Sequence, residues 1–408
     1  MDETRAKQPI DSSNSEVQEL RAGIRGDLVL PDDPRYDEGR AVWNGMIDKT
    51  PAVIVRAAGV GDVVAAVNFV REHDLPLSVR GGGHNVAGTA VRNDGVVIDL
   101  SEMTGIRVDR EKRTVRAEGG ATLGDVDRET QLFGLATPLG VVTSFEYALH
   151  DVGPEVYALF AWFRADDAAS VLEAYREWTD GAPRDASTLA FTAHVPDLEE
   201  FPEDAWGDPA LAFLGSYRGD LEDADDVFRP LLETATPIAD LGGTTTFVDL
   251  QSMLDEDYPD GLRYYWKSIY LEKLTDEVLE FTVRSNEAAP SALSTIDLWH
   301  LGGAVAEVPR DATAFWHRDK PYMLTFEANW EDSADDDANV TWARDGIAEA
   351  QELAVASGRY GNFPGMNEDP AKLLYGDNYE RLVDLKTRYD PENLFETSGS
   401  VAPRTESE

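Results

Sequence analysis

The chain has 408 residues and a formal charge of −42, because it combines 36 Lys and Arg with 78 Asp and Glu. It has no cysteine, which excludes disulfides, thiolate nucleophiles, iron–sulfur clusters and cysteine-ligated zinc. Its six histidines lack metal-ligand spacing, so no metal site is predicted, and a surface this acidic should repel nucleic acid.

The distribution of the charge predicts a cytoplasmic protein adapted to high salt. Acidic residues are spread along the whole chain, whereas a disordered acidic tail, the alternative, would concentrate them at one end. Salt screens the self-repulsion of such a surface. Residues 1–14 lack the apolar core of a signal peptide, and no apolar run approaches the ~20 residues of a membrane span, so no membrane partner is expected.

The length predicts two domains, and the first begins with alternating strands and helices. Residues 52–56 and 96–100 have the apolar composition of buried strands. Valines at helical spacing from Val63 predict a helix that ends near Pro76. A short predicted strand, 77–79, then leads directly into three glycines.

The pattern continues beyond the glycines. Thr122 and Asp125 have the spacing of a capping box and predict a helix that ends at Gly134. The alternating apolar residues of 141–149 predict a strand. Longer strands and helices follow, including a helix at 165–178, and they predict a second α+β domain.

The three glycines form the segment in which ligand binding is expected. A backbone without Cβ atoms can turn sharply and bring its N–H groups up to an anion such as a pyrophosphate. His84 follows at once, and Gly88 allows a second close approach. An ordinary surface turn is the alternative, and no helix follows as the dinucleotide fingerprint Gly-x-Gly-x-x-Gly would require.

Residues 79–88 and 97–101 together resemble the FAD-binding domain of the berberine-bridge-enzyme-like oxidases, a domain type also found in vanillyl-alcohol-oxidase and para-cresol-methylhydroxylase proteins. Further segments in the family's order extend the resemblance over most of the chain: 42–46, 134–138, 140–147, 264–268, 360–363, 375–382 and 389–395. The resemblance implies an α+β fold. A two-part, truncated FAD-binding domain of the para-cresol-methylhydroxylase type, 13–150 and 356–401, would be interrupted by an α+β substrate domain, 151–355.

The resemblance also assigns roles to single residues. His84 would attach the flavin covalently, and neighbouring residues would hold the FAD: Arg80, Gly81, Gly82, Gly83, Asn85 and Gly88. Tyr360 and Asn362 match a Tyr-x-Asn motif that covers the flavin ring. Tyr360 would act as the catalytic base, which requires a phenol pKa below the usual value of about 10. Plain ring packing is the alternative for Tyr360.

The predicted function is FAD-dependent oxidation of a hydroxylated small molecule by hydride transfer to the flavin. Dioxygen or another electron acceptor would then reoxidise the flavin. The middle domain would supply the substrate pocket, although core packing and surface exposure also explain its candidate residues: Tyr265, Trp266, Lys267, His300 and His317.

The sequence departs from the family after Pro138. Family members continue there through about 60–70 residues, more than one βαβ unit of about 30, whereas here Leu139 leads straight to Gly140. The missing block supplies half of the flavin cleft and, in some members, a cysteine that forms a second flavin bond. The Asn-Gln-Asn type of motif near the end is also replaced, by Ser398-Gly399-Ser400. The alternative function is therefore a shortened or degenerate relative that serves as a binding or scaffold protein.

Overall fold

The computed structural model describes residues 14–109, 111–125, 141–150, 152–353, 355–366, 371–396 and 399–404. The chain divides into two compact units. The first comprises Met1–His150 and Val383–Glu408, and the second comprises Asp151–Leu382. The sequence prediction returned the chain to the first unit near residue 356, whereas the two compact units divide between Leu382 and Val383. Residues 356–366 stay with the second unit because they pair and bond with one of its strands.

The first unit has short helices and strands. In chain order these are α1 (Ser15–Gly23), β1 (Asp27–Val29), α2 (Tyr36–Arg40), β2 (Val53–Arg56), α3 (Val60–His73), β3 (Leu77–Arg80), β4 (Val96–Asp99), β5 (Ile106–Asp109), β6 (Thr114–Glu118) and β7 (Ser144–Ala148). They form a four-stranded sheet in the order β1–β2–β4–β3 and a three-stranded sheet in the order β5–β6–β7.

The four-stranded sheet is buried on both faces. β2, β4 and β3 run parallel, and β1 is antiparallel to β2. Val53 and Val55 of β2 enter one apolar cluster, whereas Ile54 enters another on the opposite face. Burial of both faces explains why these strands are continuous apolar runs. As predicted, α3 ends shortly before Pro76, with Asp74 in the left-handed conformation at φ 49°.

The three-stranded sheet follows, and it leads into the predicted capping box. β5, β6 and β7 are antiparallel. Thr122 Oγ1 accepts the N–H of Asp125 at 3.1 Å, and Asp125 Oδ2 accepts the N–H of Thr122 at 3.0 Å, so the capping box is confirmed. The predicted helix end at Gly134 and the junction 138–140 lie outside the described residues.

A buried ion pair anchors the C-terminal part of the first unit. The Lys386 side chain is fully buried, pairs with Asp390 Oδ2 at 2.6 Å and donates to the Phe395 carbonyl at 2.6 Å. The N–H groups of Leu394 and Phe395 donate to the Asp390 carboxylate. The charges of Lys386 and Asp390 therefore compensate each other, and the remaining hydrogen bonds satisfy both groups. Leu394 and Phe395 pack against the core of the first unit.

The second unit is built on a nine-stranded antiparallel sheet. Its strands are β8 (Glu155–Arg164), β9 (Ala186–His194), β10 (Pro209–Tyr217), β11 (Ala239–Asp240), β12 (Gly243–Thr246), β13 (Arg263–Leu271), β14 (Thr295–His300), β15 (Tyr322–Trp330) and β16 (Ala356–Ser357). The order is β11–β8–β10–β9–β14–β15–β13–β16, and β12 also pairs with β8. All these pairings are antiparallel.

Helices cover one face of this sheet. The helices of the second unit are α4 (Ala168–Thr179), α5 (Ala224–Leu232), α6 (Phe247–Gln251), α7 (Asp276–Glu287), α8 (Ala304–Glu307), α9 (Asp336–Glu352) and α10 (Ala371–Tyr375), and the last helix, α11 (Tyr379–Tyr389), contains the boundary between the units. Trp342 of α9 packs on Phe326 with ring centroids 5.0 Å apart, and Tyr175 of α4 packs on Phe213 at 5.4 Å. These contacts define the helix-covered face.

The opposite face of the sheet carries buried polar groups, and we call it the polar face. Strand registers place on it Trp266, Ser268, Asp297, Thr325 and Glu327. The α+β prediction is confirmed by the sheets and packed helices of both units. Within the described part of the chain, no helix is both long and apolar enough to cross a bilayer.

Candidate functional site

The glycine segment lies at the carboxyl edge of the parallel strands. β3 ends at Arg80, which is in register with Asp99 at the end of β4, and Asp99 is in register with Arg56 at the end of β2. Ligands of open parallel sheets bind at this edge, where the connecting loops are free to vary. The fold therefore places residues 81–88 where a ligand-binding loop is expected.

The glycine segment presents unused backbone donors. Among the described residues, no acceptor is bonded to the N–H groups of Gly81, Gly82, Gly83 and His84. A Cβ atom added at Gly82 would meet nothing within 4 Å, so open space lies beside that residue. Consecutive N–H groups beside open space are the arrangement that backbone anion sites use.

Residues 43–49 hold the carbonyl groups of the same segment. The N–H of Trp43 donates to Gly83 O at 3.3 Å, and Asn44 Nδ2 donates to Val86 O at 2.7 Å. Lys49 Nζ donates to Gly88 O at 2.8 Å. These three bonds brace the path of the segment from outside. Sequence reasoning noted 42–46 only as part of the family pattern and missed this bracing role.

Two glycines are required by the path of the chain. Gly83 and Gly88 have φ values of 72° and 62°, which side chains rarely adopt. A Cβ atom at Gly88 would also lie 2.5 Å from Ile47 Cδ1. These positions explain the glycines by backbone conformation, whereas Gly82 has no such requirement.

His84 presents its imidazole at the surface. The ring is exposed and stacks on the indole of Trp43, with centroids 4.1 Å apart and planes 18° apart. Trp43 is only 4% exposed, so the imidazole lies on a fixed aromatic surface. The exposed imidazole therefore presents its ring nitrogens at the surface of this segment.

Arg80 and Asn85, whose side chains were also predicted to hold the FAD, make hydrogen bonds within the protein. Arg80 Nη1 donates to Gly39 O at 2.6 Å, while its buried Nε has no hydrogen-bond partner in the part of the chain that the structure describes. Asn85 Oδ1 accepts from the N–H and the hydroxyl of Thr89 at 3.3 and 3.1 Å. Both side chains therefore shape the loop, and the Asn85 amide group keeps its two N–H donors for a ligand.

Tyr360 and Asn362 lie together in the second unit. Asn362 Nδ2 donates to the Tyr360 hydroxyl at 2.9 Å, and the Tyr360 N–H donates to Ser268 Oγ at 3.0 Å. Burial raises the pKa of Tyr360, and the Asn362 hydrogen bond opposes that rise. A base needs a lowered pKa, so the net direction is opposite to the one that the sequence interpretation required.

Sequence reasoning missed a buried pair of carboxyl groups on the polar face. Asp297 and Glu327 are 5% and 3% exposed, and Tyr258 donates its hydroxyl to Glu327 Oε2 at 3.3 Å. Burial raises the pKa of Asp297 to about 6 and raises that of Glu327 further, since Asp297 adds its charge. Of the two carboxyl groups, Glu327 therefore keeps its proton to the higher pH. The sequence signal that could have revealed this pair is a single acidic residue within each of two apolar strands.

Several expected pocket residues lie on the helix-covered face instead. Lys267 is in register with Phe326 and shares that face with Tyr265, which contacts Arg344 of α9. His300 contacts the Trp178 ring of α4. Strand alternation therefore removes these three from the polar face, which keeps Trp266. His317 stacks on a tyrosine of the polar face and is described below. No group of His, Asp and Glu that could hold a metal occurs among the described residues.

Comparisons with known proteins agree with this geometry. The model of the FAD binding domain matches residues 51–147, and that of the berberine and berberine-like family matches residues 359–402. The uncharacterized FAD-linked oxidoreductase YgaK of Bacillus subtilis is 26% identical over 446 residues, which cover 93% of this chain and 97% of YgaK. That span exceeds the 408 residues present here, so YgaK carries residues without a counterpart in this chain.

Two solved structures share the fold. BBE-like 1 of Physcomitrella patens superposes with a TM-score of 0.83 at 16% identity, covering 96% of this chain and all of that one. The 6-hydroxy-D-nicotine oxidase from Arthrobacter nicotinovorans gives a TM-score of 0.78 at 20% identity, covering 93% of this chain and 98% of that one.

Proposed function

The chain belongs to the berberine-bridge-enzyme-like FAD-linked oxidoreductases, and we propose that it oxidises a hydroxylated small molecule and passes the hydride to FAD. When bound, FAD supplies a flavin ring that accepts two electrons and delivers them to an acceptor, for which we propose dioxygen. The name of 6-hydroxy-D-nicotine oxidase, which shares the fold, indicates a hydroxylated small molecule as its substrate, and this supports a substrate of that class here. The residues of this chain must then hold the FAD, place the substrate and accept the hydroxyl proton.

The observation that supports this proposal most strongly is the row of N–H groups at Gly81, Gly82, Gly83 and His84, to which the described residues supply no acceptor. A diphosphate has the charge and the acceptors to satisfy them. The space beside Gly82 allows a ligand to approach the backbone closely. The residues present therefore fit the diphosphate of FAD, and the Asn85 amide adds further donors.

His84 is the residue that we propose to bind the flavin covalently. Its exposed ring belongs to the last of these four residues, and the stack on Trp43 fixes its plane. The chain contains no cysteine, so no thiolate competes for the flavin or forms a second bond. One covalent link is therefore the most that this protein can form by the attachments used in its family.

Tyr360 is the residue that we propose as acceptor of the hydroxyl proton, with Asn362 stabilising the phenolate through its N–H donor. Burial opposes this role by raising the pKa of Tyr360. The Asp297–Glu327 pair is the second candidate, because it lies on the polar face and Asp297 has a pKa of about 6. Ser268, which receives the Tyr360 N–H, lies on the same face.

Stopped-flow reduction of the flavin by substrate, without dioxygen, tests the role of Tyr360. Tyr360→Phe keeps the ring packing and removes only the hydroxyl, so reduction should slow by about 10²–10⁴-fold while flavin content is unchanged. Tyr389→Phe, at an exposed tyrosine, is the matched control and should reduce at the wild-type rate. Equal rates in wild type and Tyr360→Phe would make Tyr360 a packing residue and leave the carboxyl pair as the acceptor.

A further inference from the structure

His317 contacts the backbone that leads to Tyr360. Its ring is 6% exposed, and its Nε2 lies 2.7 Å from the carbonyl oxygen of Leu373. Because a carbonyl only accepts, Nε2 carries the hydrogen and donates it. The same oxygen accepts the N–H of Arg359 at 3.2 Å. One carbonyl thus joins His317 to the residue that directly precedes Tyr360.

Gly358 brings the same backbone against the imidazole ring. Its φ is 69°, and a Cβ atom at this position would lie 2.2 Å from His317 Cε1. Only glycine allows so close a passage in this conformation. The path of residues 358–360 is therefore fitted to the face of the His317 ring as well as to its N–H group.

The His317 ring also packs against a tyrosine of the sheet. The His317 ring stacks on Tyr270, with centroids 4.6 Å apart and planes 24° apart. Burial raises the pKa of Tyr270, and the Tyr360 phenol adds to the rise. Tyr270 follows Ser268 on the same face of β13, and Ser268 both accepts the Tyr360 N–H and donates to Phe363 O at 3.2 Å.

We propose that His317 is a positioning residue for Tyr360, because its Nε2–H group and its ring together hold the 358–360 backbone and Tyr270 in one arrangement. The proposal rests on the proposed role of Tyr360 as proton acceptor. His317 acts through the backbone and through Tyr270. Its Nδ1, which has no hydrogen-bond partner among the described residues, is not needed for this role. Loss of either contact should let the phenol move away from the orientation that accepts the proton.

Two variants separate the two contacts. His317→Gln keeps an N–H donor for Leu373 O and loses the ring, whereas His317→Phe keeps the ring and loses the donor. Each should slow flavin reduction by about tenfold without changing the substrate concentration that gives half the maximal rate, because a displaced acceptor lowers the rate rather than binding. His150→Gln, at an exposed histidine, is the matched control and should leave the rate unchanged.

A readout independent of activity is the ¹³C resonance of the Tyr360 ring, in protein labelled at the tyrosine Cζ and assigned with Tyr360→Phe. Both His317 variants should shift or broaden this resonance, and His150→Gln should not. An unchanged Tyr360 resonance in the His317 variants would overturn the proposal. If one variant does not fold, as judged by thermal melting, the other gives the same test, because each removes one of the two contacts.

Double variants distinguish the failure of this proposal from failure of the proposed function. If His317 acts through Tyr360, neither His317 variant slows reduction further in the Tyr360→Phe background. Equal slowing in both backgrounds would overturn the positioning role. If Tyr360→Phe alone reduces normally, Tyr360 is not the acceptor, and a shifted Tyr360 resonance in the His317 variants still supports the positioning of its ring.

Discussion

Replacing Asp297 by Asn should stabilise the protein at alkaline pH. Burial raises the pKa of Asp297 from 3.8 to about 6, so the folded protein binds this proton more tightly than the unfolded chain does. The resulting stability is fully present below about pH 4 and is lost as the pH rises through about 6. A shift of about two units corresponds to about 3 kcal/mol of unfolding free energy, which Asn does not lose because it cannot ionise.

The assay is urea unfolding in molar KCl, followed by tryptophan fluorescence at two pH values. At about pH 8 the free energy of unfolding of Asp297→Asn should exceed that of wild type by up to about 3 kcal/mol, and at about pH 4 the difference should vanish. Asp345→Asn removes a charge on the exposed surface of α9 and should change stability by no more than about 0.5 kcal/mol. A destabilised Asp297→Asn at about pH 8, or an equal difference at both pH values, would refute the reasoning.

Three further predictions concern salt and the glycine segment. The melting temperature should rise from low to molar KCl, because the charge of −42 is screened over a Debye length that falls from about 10 Å at 0.1 M to about 3 Å at 1 M. A flat or falling melting temperature would separate the acidity from salt adaptation. Gly88→Ala should cost about 1–3 kcal/mol, because its φ is 62° and Ile47 fills the space. Gly82→Ala should leave stability unchanged and weaken FAD binding, which calorimetric titration with FAD measures. An affinity for FAD equal to that of wild type would refute this prediction.

The sequence predicted the local features because their causes are local. The capping box at Thr122 and Asp125 and the end of α3 before Pro76 depend on residues that are neighbours in the chain. The glycine segment was found because a strand followed by glycines carries its own backbone requirement. Family resemblance added the assignment to FAD, which these local patterns alone could not give.

The remaining features depend on which residues become neighbours in space. The pKa of Tyr360 is raised because the fold buries its phenol, and no local pattern states that burial. Strand register places Lys267 on the helix-covered face of the sheet. The charge of its side chain does not indicate which of the two faces it occupies. Asp297 and Glu327 are far apart in sequence and become a proton-sharing pair only when β14 and β15 align.

The division of the compact units differs from the predicted boundary near residue 356 for a similar reason. The motif at Tyr360 and Asn362 was expected to return to the first unit because the resemblance associates it with the flavin ring. Pairing of Ala356 and Ser357 with β13, and the bond from the Tyr360 N–H to Ser268, keep this segment in the second unit. The hydrogen bonds that decide its place are made with residues about 90 positions earlier in the chain.

The measurement that tests the central claim most directly is the flavin content of the protein, from its visible spectrum after purification with FAD and again after acid precipitation. Wild type should hold flavin, which should stay with the precipitate, and His84→Ala should release it to the supernatant. Flavin released by wild type would contradict attachment at His84. A wild-type protein that takes up no flavin from excess FAD would contradict the assignment of Gly81, Gly82, Gly83 and His84 as the diphosphate site.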